Sequence, residues 1–98
     1  MADSDLYLRY ILGEVPIFEL QKRRERHIRC NPALAQYIAD AAFKPITLVG
    51  DFDKRLMDSA HVANEERRVT RAWRRLQVVG SLRLPIDQYP LATLDEIR

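Results

Sequence analysis

The sequence predicts a mainly α-helical domain, a compact bundle of four to five short helices with at most one short strand pair. Three observations point there. Apolar residues recur at helical spacing along most of the chain. Gly13, Pro16, Pro32, Pro45, Gly50, Gly80 and Pro85 cut it into pieces of helical length. The 98 residues are 47% hydrophobic and 31% charged, enough for one domain and far from a disordered composition. A chain of this size buries only about 60–68% of its unfolded surface, so a partner chain or a second copy would add to a marginal core.

The first helix is expected from about Asp3 to Leu12. Asp3 or Ser4 supplies a side-chain oxygen for the orphan amides of the first turn. Leu6, Tyr7, Tyr10 and Ile11 share one face, which Leu8 and Leu12 widen, and Gly13 suits the left-handed position after the helix. Pro16 opens a second helix to about Ile28. Its apolar residues Ile17, Phe18 and Leu20 cluster at the start, and Glu19–Arg23 and Glu25–Arg29 are favourably ordered i,i+4 pairs. Asn31-Pro32 starts a third, because proline at the first helical position lacks an amide that would be unpaired anyway. Leu34, Tyr37, Ile38, Ala41 and Ala42 form its buried stripe to about Phe43. Residues 44–50 break the pattern as a connector or short strand.

Asp51 caps the next helix, with Phe52, Leu56, Ala60 and Ala63 on one face. The run 64–68 is all polar, and the stripe resumes at Val69, Ala72, Trp73, Leu76 and Val79. Residues 52–79 are therefore one helix or two. Asn64 followed by Glu65 and Glu66 resembles a helix start, and the break is preferred. Gly80 ends the helix, and Ser81 to Leu84 suit a short strand. Residues 1–84 form the domain. Residues 85–98 form an extended tail, with Pro85–Pro90 extended and Leu91–Ile97 adding a last turn or a loose end. Its Ile86, Tyr89, Leu91, Leu94 and Ile97 are expected against a neighbour or partner. The expected core comprises Leu6, Tyr10, Ile11, Phe18, Leu34, Ile38, Phe52, Leu56, Val69, Trp73 and Leu76.

The net charge of +2 hides a segregation. Residues 1–19 carry −3, residues 20–29 carry +4, residues 65–75 carry +3 and the last fourteen carry −2. Thirteen of the sixteen cations are arginine, which pairs bidentately with phosphate or carboxylate, although an arginine-rich composition also follows from a GC-rich coding genome. Candidate nucleic-acid or partner contacts are Arg23, Arg24 and Arg26 in the first basic segment, with Arg67, Arg71, Arg74 and Arg75 in the second.

Catalytic, cofactor and metal sites are not expected, so an enzyme is not expected. Three glycines form no phosphate-cradling spacing. Asp58, Ser59 and His61 are close in sequence, but residues two apart on a helix point to different faces. His27, Cys30 and His61 are three candidate zinc ligands where structural zinc takes four. Cys30 reads as a small half-buried hydrophobe, and Asp51 with Asp53 as capping residues. One cysteine excludes an internal disulfide, the N-terminus is acidic, and no apolar run nears the roughly 18 residues of a membrane span. The expectation is a cytoplasmic protein with no membrane association.

Residues 68–84, Arg-Val-Thr-Arg-Ala-Trp-Arg-Arg-Leu-Gln-Val-Val-Gly-Ser-Leu-Arg-Leu, resemble the recognition helix and following strand of winged-helix DNA-binding domains. Ser59, Val62 and Ala63 match small or apolar positions of a preceding helix. Asp58 departs from that pattern, no glycine marks the turn, and Pro85 interrupts the returning strand of a wing. The resemblance implies a nucleic-acid-binding regulator with its recognition helix at 67–79. The leading expectation is different: a small non-enzymatic accessory or regulatory protein, an adaptor, inhibitor or minor subunit of bacterial, phage or mobile-element type. It would act by protein–protein interaction with a hetero-partner or as a homodimer, because arginine and tyrosine are both favoured at binding hot spots.

Overall fold

The computed structural model describes residues 2–82 and 85–90. Their helices are α1 (Asp5–Ile11), α2 (Pro32–Ala35) and α3 (Ser59–Leu82), with single 3₁₀ turns between them at Ile17–Glu19, Ile28–Cys30 and Lys54–Leu56 and a further one after α3 at Ile86–Gln88. The chain is mainly helical, but among the described residues three α-helices replace the expected four to five. No strand forms there; Ser4 and His27 make one isolated antiparallel bridge. The Cα radius of gyration is 13.4 Å, against about 13 Å for a compact chain of this length.

α1 follows from local chemistry. Ser4 Oγ accepts from the Tyr7 amide at 3.3 Å. At the other end Gly13 adopts φ +81°. Its amide reaches Tyr10 O at 3.0 Å and the Glu14 amide reaches Arg9 O at 2.9 Å, so two terminal carbonyls are satisfied.

The second expected helix, Pro16 to Ile28, does not form. Ile17–Glu19 forms a single 3₁₀ turn, the Lys22 and Arg23 amides still reach Glu19 O at 3.0 and 3.1 Å, and the chain then runs irregularly to Ile28. Five cations against Glu25 gain little from stacking on one helix. Uncoiling instead lets Ile28 reach the core, 1% exposed, while its amide donates to Asp3 O at 2.7 Å and Arg26 O accepts from the Asp5 amide at 2.8 Å. Cys30 is exposed rather than half-buried.

The third expected helix shortens to α2. The Thr70 hydroxyl, brought from α3, accepts from the Ala39 amide at 2.8 Å and donates to Tyr37 O at 3.2 Å. These bonds capture backbone groups that a continued helix would have paired internally. The irregular path seats Tyr37 and Ile38 in the core and puts Phe43 edge-on to Trp73, ring centres 5.7 Å apart.

The break expected at Asn64 is absent. α3 is one helix of 24 residues from Ser59, and it passes through Gly80 to Leu82. Asp58 starts it, one carboxylate oxygen accepting from the Ala60 and His61 amides at 3.1 Å each; Asp51 has no such role. The polar stretch stays helical because distant groups hold it. Lys54 Nζ donates to Glu66 at 2.7 Å, and Arg68 pairs with Glu14 at 2.9 Å. Ser81 and Leu82 are thus helical rather than strand. Arg83, Leu84 and the tail residues Leu91, Leu94 and Ile97 lie outside the described residues.

The buried face of α3 is Val69, Ala72, Trp73, Leu76 and Val79, packed on Leu6, Leu8, Tyr10 and Ile11 of α1 and on Val15 and Ile28. Seven of the eleven expected core residues are buried: Leu6, Tyr10, Ile11, Ile38, Val69, Trp73 and Leu76. Leu34 is half-buried. Phe18, Phe52 and Leu56 are exposed. Residues 85–90 lie on the body. Tyr89 is buried beside Tyr7 and Tyr10, and the Tyr10 hydroxyl donates to Ile86 O at 3.0 Å.

Candidate functional site

Arg26 Nε donates to the fully buried Asp5 carboxylate at 3.1 Å, and Arg23 lies 3.5 Å from Glu19. Arg24 is exposed. None of these three lines the groove formed by the arginines of α3.

That groove, about 480 Å³, runs between α3 and the stretch after α2. Arg67, Arg71 and Arg74 flank it, spaced by four and three residues on one side of the helix. Ala39, Ala63, Thr70 and Glu66 also line it. Arg67 donates to the Asn64 side chain one turn earlier. Arg74 Nε donates to Asp40 Oδ2 at 2.6 Å. The Ala42 amide donates to the other oxygen of Asp40 at 2.8 Å. That amide first, and the Arg74 guanidinium second, hold the Asp40 carboxyl below the usual carboxylate range. Arg75 departs from the set: its guanidinium donates to Gln88 O at 2.6 Å and Tyr89 O at 3.2 Å, clamping residues 85–90 to α3.

Sequence reasoning missed three parts of this surface. Asp40 pairs with Arg74 beside the groove because α2 ends early. Val78 and Leu82 continue the row of Arg67, Arg71 and Arg74 at four-residue steps, and they are 43% and 62% exposed. The same periodicity shows them once the helix is extended past Gly80.

A larger groove of about 590 Å³ lies beside Trp73 and Gln77, with Ile28, Arg29, Cys30 and Phe43. The Arg29 guanidinium sits 4.4 Å from the centre of the Phe43 ring and donates to Lys44 O at 2.8 Å, so this cation packs as part of the wall.

Asp58, Ser59 and His61 form a helix start. Among the described residues no three His, Cys, Asp or Glu side chains converge as a metal site, and His27 lies 3.5 Å from Asp3. No helix there is long and apolar enough to cross a membrane. Helix-turn-helix geometry is not formed at 58–79, since α3 is continuous there. No family profile, curated protein or solved structure matches the chain.

Proposed function

We propose that the protein is a small non-enzymatic accessory or regulatory module that docks on another protein chain through the outer face of α3. The observation that carries this reading is the exposed row Arg67, Arg71, Arg74, Val78 and Leu82 on a helix whose opposite face is the core. Such a row mixes charge with large apolar side chains. Burying Val78 and Leu82 rewards contact with a protein surface, whereas a phosphate backbone leaves them wet. The exposed thiol of Cys30 suits a reducing compartment, the cytoplasm.

The test is a pull-down from the native host beside a gel-shift salt titration, using wild type and an Arg71→Glu/Arg74→Glu variant. The expected result is one specific complex lost in the variant, with circular dichroism unchanged. Duplex DNA retarded by wild type, released steeply with salt and not retarded by the variant, would replace this reading with nucleic-acid binding.

A further inference from the structure

The groove also restricts what kind of partner surface α3 receives, an argument that rests on the docking reading above. Ala39, Ala63 and Thr70 line it with methyl groups. The Thr70 hydroxyl is already committed to the Ala39 amide and Tyr37 O, so it has little left for reading a base edge. Its walls offer guanidinium groups, and Arg74, 59% exposed, already holds a carboxylate at 2.6 Å. The chain therefore displays the chemistry this cation accepts.

Two carboxylates stand in or beside the groove, Asp40 on Arg74 and Glu66 on Lys54. They oppose a continuous polyanion, which in duplex DNA carries a charge every ~1.7 Å. Arg67, Arg71 and Arg74 instead match carboxylates spaced about one helical turn apart, roughly 5–6 Å, on a facing helix whose contact also buries Val78 and Leu82. Beyond Arg74 the row turns apolar. From Arg67 to Leu82 it spans about 22 Å of helix, basic over the first two turns and apolar over the next two.

We infer that this face seats an acidic amphipathic helix of a partner protein. Its Asp or Glu side chains meet Arg67, Arg71 and Arg74, and its Leu- or Ile-type side chains cover Val78 and Leu82.

The experiment uses a fluorescent peptide of about 16 residues, long enough to span the row, with glutamates at i,i+4 in one half and leucines at i,i+4 in the other. A scrambled peptide of the same composition and a DNA duplex of similar length serve as controls. Anisotropy at about 50 and 200 mM salt reads binding. The patterned peptide should bind at least about tenfold more tightly than the scramble. Arg71→Glu/Arg74→Glu should cost about tenfold or more, with a shallower salt dependence. Val78→Ser/Leu82→Ser, at exposed positions and with the fold checked by circular dichroism, should cost several-fold with the salt dependence retained. Equal binding of patterned and scrambled peptides overturns the inference, as does tighter binding of the duplex through the same arginines. The pull-down reads the docking face separately: a native complex that survives Arg71→Glu/Arg74→Glu removes the face itself, whatever the peptide does.

Discussion

Asp5 shows how a residue read as part of an acidic end becomes structural. Its side chain is 0% exposed, and Asn31 Nδ2 donates to Oδ1 at 2.9 Å while Arg26 Nε donates to Oδ2 at 3.1 Å. Arg9 Nε lies 3.1 Å from the same oxygen, close enough for an ion contact but without hydrogen-bond alignment. A buried carboxylate is tolerated only when its lone pairs are met in this way. The arrangement ties α1 to the segments on either side of Ile28. Asp5→Ala should therefore lower unfolding stability by about 2–3 kcal/mol, discounted from the fully buried case because Arg26 remains half in water. Urea denaturation checks it, and a loss under about 0.5 kcal/mol, the scale of a surface pair, would refute the structural role. The same geometry changes the meaning of Arg26. Read along the chain it is a free cation of a basic patch; in the fold its Nε serves Asp5. Arg26→Ala should cost about 1–2 kcal/mol of stability, because it leaves one oxygen of the buried Asp5 without its hydrogen bond, and leave docking through α3 intact, which the same titration and the pull-down decide.

At the scale of elements, what was legible is what local chemistry decides. α1, its Ser4 cap and the left-handed Gly13 depend on groups within a few residues of each other, and all three are present. The buried stripe from Val69 to Val79 and the exposed set Arg67, Arg71 and Arg74 follow from helical period alone. What was not legible depends on groups far apart in sequence. The stretch 64–68 looks like a break because it lacks apolar anchors, yet Glu14 and Lys54 anchor it electrostatically. Residues 36–43 look helical, yet the Thr70 hydroxyl draws their backbone out of register. Arg75 is indistinguishable from Arg74 until residues 88 and 89 bring their carbonyls to it. The continuity of α3 is open to test with Glu65→Pro. At a true helix start after Asn64, proline at the first helical position would be tolerated. Inside a continuous helix it removes a hydrogen bond and clashes with the preceding turn, so a loss of about 3 kcal/mol in urea denaturation is expected. A variant as stable as wild type would restore the two-helix reading.

For the whole molecule, the groups that join its parts also set its pH range. Tyr7 and Tyr10 stand on α1 against Tyr89, with ring centres 6.0 and 6.5 Å apart, and Tyr37 donates to Met57 Sδ at 3.1 Å on the other flank. Burial first, and nearby negative charge second, raises all three phenols: Glu25 and then Tyr89 at Tyr7, Asp87 at Tyr10, and Glu65 and Glu66 at Tyr37. A phenol raised in the folded state favours folding in its protonated form. That contribution is complete below the ordinary value near 10 and is lost as pH rises from there through the folded values. At the acid end the direction reverses. Asp53, lowered first by the Arg55 side chain and then by its amide, and Asp40, lowered by the Ala42 amide and Arg74, favour folding when ionised. Their contribution is present above the ordinary value near 4 and is lost as pH falls through the folded ones. Stability should therefore be flat between these limits and fall on both sides. Tyr10→Phe separates the alkaline limb from ordinary packing. It removes the bond to Ile86 O, costing about 1 kcal/mol at pH 7, and it also removes one ionising group. The gap between variant and wild type should narrow as pH rises from about 9 to about 11, because only the wild type retains that phenol to ionise. Urea midpoints across this range, with ultraviolet phenolate absorbance followed in parallel, read both quantities. A gap that stays constant, or phenols that titrate together at their ordinary value, would show that the contact between α1 and residues 85–90 is not what closes the alkaline side.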